Sequence, residues 1–295
     1  MGRYKNPFDE VLAKAEVYYK DFIQPIVPFL VQSSASMGAY TVGLALSQGI
    51  GSALRISCAS PVVNTLGGVA GVGFASAVAG QASLICAAAY RKKPKHLQGF
   101  LDNMTSPEAK DVGLDMLLGI VAFKVVGGSF RTIMPSDLTK VGAIARESIP
   151  AAGMQYAGEE KRKELIRMFR RDGCHHCGTT KGPVIGDHMP PNKHVVQKTE
   201  ALAVRVVDQM YRNTSFRNAM QTLGIRPLSD IKQRYYPQCV RCSQKQAAAV
   251  RNDRSHRVFH RVLHGGGKGT GWHYVGVWVG ASHGPLIDQK QKSRK

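Results

Sequence analysis

Two CxxC pairs, two long uncharged runs and a lopsided distribution of positive charge predict an α+β chain made of two unlike parts. Residues 1–154 read as mainly helical and rich in Gly and Ala. Residues 155–288 read as a small module held together by cysteines, and residues 289–295 as a disordered basic tail. At 295 residues, with 43% hydrophobic and 20% charged residues, the chain has ample length for a core. Such a composition excludes a small disulfide scaffold and a wholly disordered chain. Residues 1–150 carry 14 Lys and Arg against 10 Asp and Glu, whereas residues 151–295 carry 26 against 10. Most of the net charge of +20 therefore sits in the second half. A field of that sign attracts polyanions, either nucleic acid or an anionic lipid surface, and disfavours a solvent-neutral metabolic enzyme.

Residues 8–23 place Phe8, Val11, Leu12, Ala15, Tyr18, Tyr19, Phe22 and Ile23 at helical spacing between Pro7 and Pro25, which predicts an amphipathic helix. No charge occurs from Phe22 to Leu54 or from Ile56 to Tyr90. Arg55 alone separates two runs, each longer than the roughly 20 residues that cross a hydrocarbon layer. Gly, Ala and Ser outnumber Leu and Ile in both, and Pro25, Pro28 and Pro61 stand near their starts. Gly67, Gly71, Ala75 and Ala79 recur at intervals of four, with Gly73 and Ala77 as a second pair. That spacing lets helices approach closely in lipid and offers a seam for a protein partner or a second copy of the chain. Residues 24–90 are expected to associate with a membrane; the competing reading is a Gly/Ala-rich helix pair buried in a soluble core.

Arg91, Lys92, Lys93 and Lys95 then mark the following loop as belonging to the cytoplasmic or equivalent side. A third apolar stretch, Met116 to Met134, follows Asp115 and contains Lys124, Gly127, Gly128 and Arg131, which suits an interfacial or buried segment better than a span. Met1 to Pro7 lack the apolar core of a secretory signal. The expected location is the membrane of an intracellular compartment, the mitochondrion among the candidates, and not a secreted one.

Glu159 to Arg171 predicts a basic helix with Leu165, Ile166 and Phe169 as its apolar stripe, running directly into Cys174. Cys174-His175-His176-Cys177 and Cys239-Val240-Arg241-Cys242 are two knuckles with 61 residues between them. Four thiolates from two such turns make a closed tetrahedral shell suited to structural zinc in a reducing compartment. His175 and His176 read as bystanders, because four cysteines already fill that shell. The long separation calls for an insert, and Thr199 as N-cap with Leu202, Val206, Met210 and Tyr211 as a stripe predicts a helix over 199–223.

Pro190-Pro191 fixes an extended backbone after His188, and Asn192 and Lys193 are candidates for a phosphate contact or a turn cap. His256, His260 and His264 stand at i, i+4 and i+8 among Arg254, Arg257 and Arg261, which favours a phosphate-facing helix over a metal-binding one. Past the flexible Gly265–Gly269 segment, Trp272, Tyr274 and Trp278 alternate on a strand expected over 272–280 and packed on the cysteine module.

Between the knuckles lies Gly186-Asp187-His188-Met189-Pro190-Pro191-Asn192-Lys193, and Pro237 to Lys245 carry the second knuckle and a helix start. A CxxC, then an Asp-His pair, then a CxxC that opens a helix resembles the treble-clef HNH, or His-Me finger, nucleases over residues 172–260. The resemblance implies a metal-dependent phosphodiester endonuclease acting on DNA or RNA. In it His188 would be the general base toward water, and Asp187 a ligand of one Mg²⁺ or Mn²⁺ ion that stabilises the leaving oxygen. Zinc would only hold the frame. The family's second metal ligand has no counterpart just after Cys242, where Ser243 and Gln244 stand; Asn252, His256 and His260 are the further candidates. That departure opens a second expectation: a catalytically inactive, zinc-stabilised module that binds a partner protein, RNA or anionic lipid. A third makes the helical half the functional part, as a membrane scaffold with the module as its regulator.

Overall fold

The computed structural model describes residues 7–24, 26–92, 109–151, 153–200, 212–222, 232–260 and 270–283. In chain order the elements begin with α1 (Pro7–Tyr18), which runs into a π-helical turn (Tyr19–Ile23), then α2 (Val27–Ala53), α3 (Pro61–Lys92) and α4 (Ala109–Val125). A 3-10 turn (Phe130–Thr132), β1 (Ser136–Asp137), β2 (Ile149–Pro150), α5 (Glu159–Asp172), β3 (Val184–Met189) and α6 (Asn192–Glu200) follow. The remainder is α7 (Thr214–Thr222), β4 (Arg234–Cys239), α8 (Val240–Arg251), β5 (Arg257–Val258), a 3-10 turn (Thr270–His273) and α9 (Tyr274–Ser282). Helix and sheet are thus mixed, with helix predominant. The chain forms two compact units, one of Met1–Ser47, Val69–Ser129 and Gly271–Lys295, the other of Gln48–Gly68 and Phe130–Thr270. Of the sequence expectations, the basic loop beyond Lys92, most of the 199–223 insert, the Gly265–Gly269 segment with His264 and the tail lie outside the described residues.

The first unit is helical, and small residues set its spacing. A Cβ added at Gly43 would lie 2.7 Å from the Cα of Ala75, one at Gly119 would lie 1.7 Å from Ser76 Oγ, and one at Gly276 would lie 2.7 Å from Tyr40 Cβ. Pairs α2–α3, α3–α4 and α2–α9 therefore meet almost backbone to backbone, where no larger side chain fits. The seam expected at Ala75 and Ala79 is taken up inside the chain: both are fully buried, and the Ala79 carbonyl accepts from Ser36 Oγ at 2.9 Å.

Polar groups point inward as well. Gln32 Nε2 donates to Ser83 Oγ at 2.6 Å, Ser83 Oγ donates to the Gly280 carbonyl at 3.0 Å, and Asp115 Oδ1 pairs with His283 Nε2 at 2.9 Å. Val42, Leu46, Leu114, Leu117, Val121 and Val125 are exposed instead. Inward polar and outward apolar side chains thus stand beside an apolar interior of Tyr40, Leu44, Val72 and Phe123, a departure from the usual sorting toward water. Among the described residues one helix is long and apolar enough to cross a membrane, Val62–Ala89 within α3, with a mean hydropathy of 1.6. Helix α2 likewise buries polar side chains, Gln32, Ser36 and Ser47 among them.

Residues 272–280 correct the sequence expectation of a strand. Trp272 and His273 lie in the 3-10 turn and the rest in α9, which belongs to the helical unit. The aromatic spacing is helical: Tyr274 and Trp278, four apart, are exposed, while Val275, Gly276, Val279 and Gly280 form the buried face. Close approach of Gly276 and Gly280 to Ser36 overrides the strand propensity of the valines.

In the second unit β2, β4 and β3 form an antiparallel sheet in that order, and β1 pairs with β5. The β3–β4 register sets Val184 opposite Cys239, Asp187 opposite Tyr236 and His188 opposite Tyr235. Pro237 is tolerated in the middle strand because β2 pairs only with Arg234 and Tyr235, which leaves that side of Pro237 free of a ladder. Helix α5 buries Leu165, Met168 and Phe169, with Glu159 and Glu160 in its first turn and Arg170 and Arg171 in its last, each sign matched to the helix dipole. A Cβ on Gly186 would meet Leu165 of α5, whereas its neighbour Asp187 reaches Gln246 of α8. Because successive strand residues face opposite ways, α5 and α8 cover opposite faces of the β3–β4 hairpin.

Candidate metal centre

The first knuckle needs two left-handed glycines. Gly173 (φ 82°) ends α5, and a Cβ there would lie 2.5 Å from the Gly178 carbonyl oxygen; Gly178 itself has φ 74°. Between them Cys174 N–H donates to the Thr179 carbonyl and Gly178 N–H to the Cys174 carbonyl, both at 2.8 Å, which folds Cys174 and Cys177 onto one side. The second knuckle is a helix start: Cys239 ends β4 and caps α8, its Sγ accepting from Cys242 N–H at 3.4 Å.

All four sulfurs lie within 4.8 Å of one another, and Cys177 and Cys239 are 3.7 Å apart. Burial pushes the Cys174 thiol well above its ordinary value, and the neighbouring sulfurs add to this. Hydrogen bonds from Cys174 and the other thiols hold Cys239 far below its own. A protein that crowds four sulfurs into one buried cluster gains by placing a cation among them, so Cys174, Cys177, Cys239 and Cys242 could hold a metal ion.

A second cluster stands beside the first, and it corrects the reading of His175 and His176 as bystanders. Asp187 is buried, and its Oδ2 accepts from His175 Nε2 at 3.0 Å and from Gln246 Nε2 at 3.1 Å, with His176 Nε2 at 3.8 Å. Gly142 N–H donates to His175 Nδ1 at 3.1 Å. The His175 proton is therefore on Nε2, and the ring orients the carboxylate rather than offering a lone pair to an ion. Burial alone would push Asp187 up, but the hydrogen bond from His175, with His176 close by, holds its carboxyl below the usual carboxylate range. His176 is fully buried with neither ring nitrogen partnered among the described residues, and burial lowers it to about 4, so it is neutral.

Residues 136–144 roof this network. Leu138 O accepts from Gln246 Nε2 at 2.8 Å, Ser136 Oγ donates to His176 O at 3.0 Å, and Ile144 N–H donates to His175 O at 3.1 Å. Neither Gln246 nor the roof was legible in sequence. The available clue was two histidines inside a knuckle whose cysteines pin them beside the Asp-His strand.

His188 points the other way. Its Nε2–H donates to the Gln155 carbonyl at 3.0 Å, and its ring stands edge-on to Tyr235, whose hydroxyl donates to the same carbonyl. Nδ1 keeps its lone pair. Asn192 and Lys193 serve the frame: Asn192 Oδ1 accepts from Gln233 Nε2 at 2.7 Å, and Lys193 Nζ reaches Asp253 at 2.9 Å and the Val250 carbonyl at 3.0 Å, closing the end of α8.

The structure does not bring His256 or His260 to Asp187, and it does not put them on one helix. Helix α8 stops at Arg251, Asp253 takes φ 48°, and Arg257–Val258 leave as β5 to pair with β1. His256 is exposed. His260 is buried, with its Nε2–H donating to the Met134 carbonyl at 3.1 Å and its Nδ1 3.4 Å from Gln48 Nε2.

Burial lowers His260 from 6.5 to about 4. Between those values the unfolded chain takes up a proton that the folded one refuses, so stability rises with pH there and falls on acidification. The expected loss from this group is about 1 kcal/mol per pH unit below pH 6.5. His260→Gln, which keeps a donor and an acceptor but does not titrate, is expected to flatten the pH dependence of the melting temperature. An unchanged slope would show that His260 is protonated in the folded unit. No protein family, curated protein or solved structure matches the chain.

Proposed function

We propose that this chain is a membrane-anchored protein whose second unit is a zinc-stabilised, nuclease-derived module that binds nucleic acid without cutting it. The observation that carries the second half of that statement is the closure of Asp187. The carboxylate is only 6% exposed, spends Oδ2 on His175 and Gln246, and lies beneath Ser136–Gly142. Such enclosure disfavours the approach of a scissile phosphate or an attacking water to an ion placed there. His188, held on its carbonyl with Nδ1 free, is oriented as a general base would be, but it faces away from Asp187 across the strand. The succession of first knuckle, β3, β4 and α8 opened by the second knuckle supports the HNH resemblance, and with it a nucleic-acid partner; the positive second half supports the same partner.

Zinc fits the cysteines. Zn–S bonds of about 2.3 Å arranged tetrahedrally put the sulfurs about 3.8 Å apart, against the 3.7 Å between Cys177 and Cys239. Cys174, Cys177, Cys239 and Cys242 would be its ligands, and it would supply a fixed cross-link between the end of α5 and the junction of β4 with α8. The apolar α3, the outward Val and Leu residues and the inward Ser, Gln and Asp support anchoring of the first unit in a membrane.

The test uses the full-length chain in mild detergent, zinc retained, with plasmid DNA and structured RNA, with and without Mg²⁺ or Mn²⁺, beside His188→Ala. Binding by both proteins, with no cleavage above background by either, is expected. Metal-dependent cutting that disappears in His188→Ala would replace this reading with an HNH-type endonuclease.

A further inference from the structure

Away from Asp187, the knuckles themselves border a hollow of about 580 Å³. Lys181, Arg241, Lys245 and Arg257 line it together with Phe259, and no Asp or Glu does. Four thiolates on one divalent ion leave two negative charges, and the four cations exceed them by two. Neutralising the metal cluster therefore does not use up the positive charge at this rim.

The cations are also free to act. Arg241 and Lys245 stand one turn apart on α8 and are exposed, and no ion pair involves Lys181, Arg241 or Lys245 among the described residues. Arg257 gives Nη1 to the Ser52 carbonyl at 3.2 Å, while its buried Nε has no partner. Phe259, directly after β5, leaves 57% of its surface open beside them. A second hollow of about 250 Å³ shares Lys245 and continues past Asn252 to Arg254 and His256. Two hollows that meet at one lysine form a track rather than a socket. A track of cations suits successive phosphates of a polymer better than one isolated headgroup, and an open aromatic ring on it offers a face to an unstacked base.

We infer that this track is a binding site for single-stranded nucleic acid, with phosphodiesters on Arg241 and Lys245 and a base stacked on Phe259. The inference rests on the nucleic-acid reading above and adds to it the surface and the strandedness. Its residues are separate from Asp187 and His188, so it stands whether or not those two ever act in catalysis.

The test is fluorescence anisotropy of dye-labelled oligouridylate and oligothymidylate with the full-length chain in detergent, over a salt series. Wild type is compared with the double variant Arg241→Ala and Lys245→Ala, with Phe259→Ala, and with Lys163→Ala, whose lysine pairs with Glu159 on α5. Metal analysis reports whether each variant keeps its zinc. The double variant is expected to bind at least about tenfold more weakly and to reduce the slope of log affinity against log salt by about 1.4, two phosphate contacts at about 0.7 each. Phe259→Ala is expected to weaken binding about tenfold at unchanged slope, and Lys163→Ala to match wild type. Wild-type binding that survives both the double variant and Phe259→Ala would overturn the site while leaving the nucleic-acid reading intact. Failure of wild type to bind either oligonucleotide would sink both. Binding to vesicles containing phosphatidylserine but not to oligonucleotides, lost in the double variant, would reassign the track to lipid headgroups.

Discussion

Removing the metal from the four cysteines is expected to unfold the second unit outright. Structural zinc contributes on the order of 10–16 kcal/mol to small domains, as much as or more than the roughly 5–15 kcal/mol by which whole domains are stable. The cysteines are not peripheral here. Cys174, Cys239 and Cys242 pack with Leu138 and Phe169 in one buried cluster, so an ion held by the sulfurs would share its ground with the apolar core. Loss of the ion would leave buried sulfurs to protonate or repel, and would untie α5 from the β4–α8 junction. A strong chelator should therefore abolish the near-ultraviolet circular dichroism contributed by the second unit's Tyr235 and Tyr236, with release of one zinc per chain, and readdition of zinc should restore it. Cys174→Ser should reproduce the apo state. A melting temperature unchanged after proven loss of metal would show that the sulfurs are ordinary core residues.

The knuckles were readable in the sequence because CxxC spacing is local and its chemistry is narrow. The uncharged runs were readable as helices for a similar reason: some seventy residues with one interrupting charge leave few alternatives. What failed was everything decided by partners distant in the chain. His175 read as a bystander until Gly142, 33 residues earlier, fixed its tautomer, and Gln246 reaches Asp187 across 59 residues. The His256–His260 spacing imitated a helix, but pairing of Arg257 and Val258 with β1 claims that segment as strand. At 274–278 an aromatic spacing of four was read as alternation, when the two glycines beside it marked a helix packed against Ser36. Local pattern does not reveal that Gln48–Gly68 belongs with Phe130–Thr270, because that grouping depends on tertiary contacts alone.

Asp187→Ala separates a structural carboxylate from a catalytic one, and it is expected to cost the second unit about 3–5 kcal/mol. The carboxylate is the acceptor for His175 Nε2–H and Gln246 Nε2, both buried, and truncation leaves those donors unpaired beneath residues that exclude water. Asp187→Asn retains one acceptor oxygen and should cost less. The effect also has a defined pH sense. Because the folded carboxyl is held below its ordinary range, its contribution is present above that range and fades as pH falls through the folded value, so the difference between wild type and Asp187→Ala should narrow in acid. Thermal melts of the full-length chain, with zinc release followed in parallel, measure both. An acid kept for catalysis behaves differently, since it is held against its surroundings and its removal commonly leaves stability unchanged or improves it. If Asp187→Ala melts at or above the wild-type temperature and also abolishes a metal-dependent cleavage, the roof over Asp187 must open in solution and the non-cleaving reading is lost. If it melts far lower and no cleavage is present to lose, Asp187 is a buried strut and the non-cleaving reading stands.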